Sequence, residues 1–324
     1  MELVGIARNP VPSGAVPGSL TTRDGLTIRY AIWPRTADSA LGTVCLFGGR
    51  GEFIEKYFET IADLRRRGFA VAMMDWRGQG GSDRLLKNRR KGHVEDFTHF
   101  DRDLSQFMSE IVLPDCPAPF YGMAHSMGGH ILLRSAVTKV CWFDRIILSA
   151  PMIDILPEMT RAPLKRAFIE FMVLIGLGDL YVPGGKPEPW ELRPFDENQL
   201  TSDPLRHQRI QDILREAPSL GLGSPTLGWV QAATRSIMQI NAYGFPLSIR
   251  VPVLIVAAGN DTVVSNQALE GFATHVKTCK LLVIAGAKHE LLQERDEIRE
   301  QFWAAFDAYV PGSNRTMSES HLGM

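Results

Sequence analysis

Short apolar runs recur along this chain with longer stretches of helical spacing between them, and nothing else in the sequence constrains its fold as much. The runs are LTIRYAIW (Leu26 to Trp33), TVCLFGG (Thr43 to Gly49), FAVAMMDW (Phe69 to Trp76), PFYGMA (Pro119 to Ala124), RIILSA (Arg145 to Ala150), PVLIVAAG (Pro252 to Gly259) and KLLVIAG (Lys280 to Gly286). Helical spacing marks Phe53 to Arg67, Phe97 to Ile111, Gly128 to Val140, Asn266 to Val276 and Arg295 to Ala308. Strands that are apolar throughout need cover on both faces. The pattern therefore predicts an α/β fold, a doubly wound, mostly parallel sheet with helices on either side.

The alternation stops at Pro151, and from there to Ser248 the chain reads as helices broken by Pro163, Pro183, Pro187, Pro189, Pro194 and Pro204. This divides the sequence into an extended, Pro- and Gly-rich arm (1–20), an α/β core (21–150 and 249–310), a helical cap inserted into it (151–248) and a flexible polar tail (311–324). A net charge of −1 gives no electrostatic reason to expect a nucleic-acid partner. The basic run Arg84, Lys87, Arg89, Arg90 and Lys91 reads as a solvated loop in preference to an anionic-headgroup site. Cys45, Cys116, Cys141 and Cys279 are scattered without a C-x-x-C pair, as buried free thiols in a reducing compartment would be. The longest apolar run, Ala167 to Leu177, is interrupted by Glu170 and too short to span a bilayer. These features predict a cytoplasmic protein and leave contact with a membrane surface open.

The chemistry concentrates at strand ends. Ala124-His125-Ser126-Met127-Gly128 lies directly between a predicted strand and a predicted helix. A serine on such a turn projects its hydroxyl at the carboxyl edge of the sheet, and the residues two before and two after it must be small so that strand and helix can approach. A nucleophilic serine needs a general base, and the base needs a carboxylate. Asp261 follows the strand ending at Gly259, and His289 follows the strand ending near Ala285, giving the chain order Ser, Asp, His. Asp154, after the strand ending at Ala150, is the runner-up acid. His93, His99, His125, His130, His207, His275 and His321 read as packed or solvated. Two backbone amides, Met127 and Arg50 in the loop Phe47-Gly48-Gly49-Arg50-Gly51-Glu52-Phe53, are the candidate oxyanion donors. The loop Asp75-Trp76-Arg77-Gly78-Gln79-Gly80-Gly81-Ser82 reads as a glycine-rich turn braced by Asp75 and Arg77. There is no P-loop, no H-E-x-x-H and no cluster of metal ligands, so no cofactor and no metal is expected.

Taken as a set, GGRGEFIEKY (Gly48 to Tyr57), DWRGQGGSDR (Asp75 to Arg84), AHSMGGH (Ala124 to His130), GNDTVV (Gly259 to Val264) and GAKHELLQE (Gly286 to Glu294) resemble the α/β-hydrolase superfamily, in particular its branch of monoacylglycerol lipases and bacterial lysophospholipases. The resemblance runs from about Gly25 to Tyr309. It implies a cap after the sixth strand, catalytic roles for Ser126, Asp261 and His289, and oxyanion roles for Arg50 and Met127. LTSDPLRH (Leu200 to His207) and PTLGWVQAA (Pro225 to Ala233) resemble the lysophospholipase type more closely. Two departures stand out: Gly48, where a histidine is usual, and Ala124, where glycine is usual.

The expected activity is therefore cleavage of a carboxylic ester of a lipid-like substrate, lysophospholipid or monoacylglycerol, through an acyl-enzyme. A generic short-chain carboxylesterase, an acyltransferase or peptidase with the same triad, and a non-catalytic ligand-binding member of the fold are the alternatives. The apolar stretch around Phe168, Phe171 and Met172 is expected to line an acyl pocket, to rest on a membrane surface, or simply to pack.

Overall fold

The computed structural model describes residues 2–36, 41–138, 140–155 and 163–313. The expected tail beyond 313 and the first part of the insertion, 156–162, lie outside the described residues. The strands are β1 (Val16–Thr21), β2 (Thr27–Trp33), β3 (Thr43–Phe47), β4 (Ala70–Met74), β5 (Phe120–His125), β6 (Arg145–Ser149), β7 (Val253–Ala258) and β8 (Cys279–Ile284). They form one eight-stranded sheet in the order β1-β2-β4-β3-β5-β6-β7-β8. β1 and β2 run antiparallel to their neighbours, and the rest of the sheet is parallel.

The period of two along each strand sorts side chains onto the two faces. In β3, Val44 and Leu46 join Phe58, Ile61 and Leu64 of α1 (Phe58–Arg66) and Phe302 and Phe306 of α8 (Asp296–Tyr309). Cys45 and Phe47 face the other way, toward Phe100 and Leu104 of α2 (Thr98–Phe107) and Ile131 of α3 (Ser126–Ser135). Burying each large side chain stabilises the fold by about 1.5–3 kcal/mol, which is why these apolar runs must lie at the centre of the sheet.

Between β6 and β7 the described residues contribute helices and no strand of the sheet. These are α4 (Pro163–Met172), a π-helical turn (Val173–Leu177) with Gly176 at φ 86°, α5 (Pro204–Glu216) and α6 (Leu227–Ile240). Asp203 caps α5 by accepting from the Leu205 and Arg206 amides, and the Thr226 hydroxyl caps α6. α6 is buried: Trp229, Val230, Ala233, Ile237 and Ile240 join the core cluster on its side of the sheet. α5 closes over Phe53 through Ile210, Ile213 and Leu214. A further helix, α7 (Asn266–His275), follows β7.

Three expectations need correction. The N-terminal arm is not separate from the core that was expected to begin at residue 21: residues 16–21 complete the sheet edge as β1, and the Asn9 side chain donates to the Glu55 carbonyl at 2.8 Å. Its Pro and Gly content signalled extended backbone, but only pairing with β2 makes that backbone a strand. The basic run is only in part a solvated loop: Lys87 and Arg89 are exposed, but Arg84 and Arg90 are tied to the insertion. Arg84 Nη2 donates to Ser219 O at 2.8 Å and Arg90 Nη1 to Gly221 O at 3.2 Å, while the Gly223 and Thr226 amides donate to Arg90 O and Gly92 O. The run stitches the core to the insertion because guanidinium forks find carbonyls that a Pro- and Gly-rich segment leaves unused. Finally, all four thiols are free, but only Cys45 and Cys116 are buried; Cys141 is exposed and Cys279 half-buried.

Candidate active site

Chain order places the site. After β4 the chain returns across β3 to lay β5 on its other side, so the strand order reverses between β3 and β5. A crevice opens at the carboxyl ends of the strands at such a reversal. The loop after β3 and the turn between β5 and α3 meet there.

Ser126 stands at the first position of α3 with φ 49°, a left-handed conformation that costs a non-glycine residue about 1–2 kcal/mol. The strain is held by packing on both sides. A Cβ placed on Gly128 would lie 2.6 Å from Gly48 O and 2.8 Å from Phe47 O, so only glycine lets α3 approach the end of β3. Ala124 is fully buried in β5 between Phe47 and Leu148. The sheet thus accommodates the extra methyl at the position where glycine is usual.

Ser126 Oγ lies 3.1 Å from His289 Nε2, and His289 Nδ1 donates to Asp261 Oδ2 at 2.7 Å. Asp261 Oδ1 accepts from the Val263 and Val264 amides at 2.8 and 3.0 Å, which fixes the carboxylate in place. Burial by itself would raise the Asp261 pKa. The hydrogen bond from His289, its charge and the two amides outweigh burial and hold the carboxyl below its ordinary value. The structure thus brings Ser126, Asp261 and His289 into one hydrogen-bonded line, and Asp261 rather than Asp154 meets the histidine.

The other histidines do structural work. His125, whose ring centre is 4.6 Å from that of His289, is pushed down to about 4 by burial, so it stays neutral and adds no charge beside the base. His130, pushed down to about 3 by burial, accepts from Ser236 of α6 at 2.6 Å and donates to Met152 O at 2.8 Å. His93 bonds Thr226 across the core–insertion seam.

The loop after β3 lies against the serine, for a Cβ on Gly49 would sit 3.1 Å from Ser126 Cβ. Its conformation is set by groups the sequence reading passed over. Gln79 donates to Gly49 O at 2.7 Å and accepts from the Gly51 amide at 3.1 Å, and Trp76 Nε1 donates to Gly48 O at 2.9 Å. The Gly49 amide and the Tyr57 hydroxyl both donate to Glu52 Oε2. The Arg50 amide, flanked by these fixed points, makes none of the loop's own hydrogen bonds among the described residues. Met127, at the amino end of α3, adds an amide at the positive end of a helix. The glycine-rich turn after β4 is therefore more than the braced turn expected. Asp75 does brace it, through Arg29 and the Gly81 amide, but Trp76 and Gln79 also hold the loop that carries Arg50. Their signal was a buried amide and indole in a loop, and only the fold shows what they face.

Gly48 has a local explanation. A Cβ there would meet Glu52 and Tyr57 at 3.2–3.3 Å, so the space a histidine would take is filled by that pair. Lys56 Nζ completes the arrangement, 2.8 Å from Glu52 Oε1 and 2.6 Å from Glu290 Oε1.

The cap residues singled out from sequence are not enclosed. Phe168 and Phe171 are each 56% exposed on the outer face of α4, where an acyl pocket would have to bury them. Met172 packs against the core cluster, and Phe171 lines an open groove with Val173, Leu174, Gln231 and Arg235. Ile169 turns inward in their place because the helix buries the opposite stripe.

A left-handed serine between strand and helix, bonded through histidine to aspartate at the reversal of a mostly parallel sheet, is the arrangement of a serine hydrolase of the α/β type. Comparison with known proteins carries this further. The family model described as serine aminopeptidase, S33 (Hydrolase_4) matches residues 38–296. Lysophospholipase L2 of Escherichia coli K12 is 32% identical over 92% of this chain and 87% of its own length. The probable lysophospholipase L2 of Haemophilus influenzae is 29% identical over 85% of this chain and 84% of its own. Among solved structures, a soluble variant of the Saccharomyces cerevisiae monoglyceride lipase in complex with a substrate analog shares the fold with a TM-score of 0.68, at 20% identity over 93% of this chain and 97% of that one. This chain belongs to the Hydrolase_4 (S33) family of α/β hydrolases.

Proposed function

We propose that this protein hydrolyses a carboxylic ester of a lipid-like substrate, a lysophospholipid or monoacylglycerol, through an acyl-enzyme on Ser126. The observation that carries the reading is the continuous line Ser126 Oγ–His289 Nε2, His289 Nδ1–Asp261 Oδ2. His289 takes the hydroxyl proton as Ser126 attacks the ester carbonyl. The Arg50 and Met127 amides receive the developing oxyanion, each such donor being worth about 3 kcal/mol in the transition state. His289 then gives the proton to the departing alcohol, and water activated by the same imidazole releases the acid. Asp261 holds the imidazole in the tautomer this requires.

Relatives named lysophospholipase support a lipid ester over other acyl substrates. The family name raises a peptidase reading, which needs a carboxylate for the substrate's amino group. Glu52 and Glu290, buried beside the site, are both committed to Lys56, which leaves Glu191 of the insertion, raised by burial and without an ion pair among the described residues, as the carboxylate that reading would have to use. Residues 151–248 act as a cap in this reading, with α5 and α6 closing over the carboxyl edge. The exposed row Leu164, Phe168, Phe171, Leu174 and Ile175 supplies a peripheral contact with a lipid surface. No helix among the described residues is long and apolar enough to cross a membrane. The free thiols fit a reducing, cytoplasmic setting.

The test is a chain-length series of p-nitrophenyl esters beside lysophosphatidylcholine and monoacylglycerol, with Ser126→Ala as control. Turnover by the wild type alone supports the assignment. If neither protein turns over any ester and a fluorophosphonate leaves Ser126 unlabelled, the hydrolase reading fails.

A further inference from the structure

Buried arginines in this protein are paired with carboxylates. Arg29, Arg67, Arg77, Arg134, Arg206 and Arg299 each hold one at 2.6–2.9 Å. Where the loops after β3 and β4 meet residues 218–226, the rule breaks. Arg50 Nη2 donates to Gly223 O at 2.6 Å and its guanidinium lies 5.4 Å from the centre of the Trp229 ring. Arg84 bonds the carbonyls of Arg89, Ser219 and Leu220, and Arg90 that of Gly221. None of the three has a carboxylate within ion-pair distance among the described residues, and Arg50 Nε and Arg84 Nη1 are buried without a hydrogen-bond partner. The acidic groups whose fields reach the seam are Asp179, 3.7 Å from Lys91, Glu191, which acts on Arg50, and Asp75, which acts on Arg84. Burial pushes Arg50 and Arg84 down to about 10, helped at Arg84 by the like charges of Arg89 and Arg90 and opposed by Glu191 and Asp75 only at a distance.

The seam is also shaped around these forks. A Cβ on Gly92 would lie 2.3 Å from Arg50 Nη2, and one on Gly221 would lie 2.8 Å from Arg90 Nη1.

We propose that this seam binds the phosphate of a lysophospholipid head group, with the guanidiniums of Arg50, Arg84 and Arg90 as its donors. The proposal rests on the ester-hydrolase reading above and narrows it. Arg50 joins the two ends of such a substrate: its amide is a proposed oxyanion donor, and its guanidinium reaches Gly223 in the seam. In a lysophospholipid a short glycerol backbone separates ester from phosphate, so one residue spans both. Arginine forks match phosphate oxygens bidentately, and a neutral glycerol head group leaves them uncompensated.

The experiment compares 1-lauroylglycerol with 1-lauroylglycerol 3-phosphate below their critical micelle concentrations, in the wild type and in Arg84→Gln/Arg90→Gln. In parallel it measures inhibition of p-nitrophenyl butyrate hydrolysis by sn-glycerol 3-phosphate, by inorganic phosphate and by glycerol. The wild type is expected to favour the phosphate-bearing ester in kcat/KM by about tenfold or more, and the double variant to lose most of that preference through KM. Glycerol 3-phosphate is expected to inhibit the wild type competitively, a result independent of whether the variant folds. Equal kcat/KM for the two wild-type substrates without glycerol 3-phosphate inhibition would overturn the head-group site and leave the hydrolase standing. Inhibition by inorganic phosphate as strong as by glycerol 3-phosphate would overturn the head-group assignment in favour of a free-anion site. A wild type that cleaves none of the esters would overturn this proposal, and the hydrolase reading with it if a fluorophosphonate also leaves Ser126 unlabelled.

Discussion

At the scale of single residues, the site depends on two positions where backbone geometry and chemistry coincide. Ser126 pays for its placement in the left-handed region. Ser126→Gly and Ser126→Ala should both be inactive, but the glycine variant should be more stable than the alanine variant by about 1 kcal/mol in chemical denaturation, since only the alanine keeps the strain. Equal stabilities would show that the turn stores none. Gly128 is the opposite case, a residue that must lack a side chain. Gly128→Ala would drive a Cβ to 2.6 Å from Gly48 O and displace the loop carrying the Arg50 amide. Its kcat should fall by about 10²-fold, as for loss of one oxyanion donor, with fluorophosphonate labelling slowed in parallel.

At the scale of elements, the catalytic loops are tied together by a buried charge chain. Lys56 sits between Glu52, which accepts from the Gly49 amide, and Glu290, the neighbour of His289. Burial pushes Glu290 up to about 6, against an ordinary 4.5, while Lys56 pulls the other way. A carboxyl raised in the folded state contributes stability that is complete below its unfolded pKa and is lost as pH rises through its folded one. As pH rises from about 4.5 to 7 the wild type should therefore lose stability through this group. Glu290→Gln should flatten that part of the stability profile, measured by denaturant midpoints across the pH series. A wild-type profile already flat in this window would remove Glu290 as the cause.

At the scale of the whole molecule, the outer face of α4 is the feature the core does not explain. Leu164 and Leu174 are 85% and 83% exposed, with Phe168 and Phe171 between them. Phe168→Ser with Phe171→Ser should reduce co-sedimentation with phospholipid vesicles and leave chain-length selectivity on monomeric p-nitrophenyl esters unchanged. Altered selectivity with intact vesicle binding would return these side chains to the acyl pocket.

The alternating fold was legible because centrally buried parallel strands must be apolar along their length, and no other arrangement hides TVCLF, AVAMM and VLIVAA at once. Ser126, Asp261 and His289, which the fold brings into one hydrogen-bonded line, were legible because each follows a strand, and strand ends can be read in one dimension. What the tertiary structure decided lies between elements distant in sequence. Gln79 and Trp76 hold the loop of Arg50, Lys56 reaches Glu290, and the forks of Arg84 and Arg90 close on residues 219–221. It also decided which apolar stripe of α4 faces out, since Leu164, Phe168 and Phe171 lie on one side and Ile169 and Met172 on another, and only a neighbouring element settles which of them is covered. Periodicity and chain order are properties of the sequence alone, whereas the partner of a buried polar group is fixed only when folding removes water and leaves one group within reach.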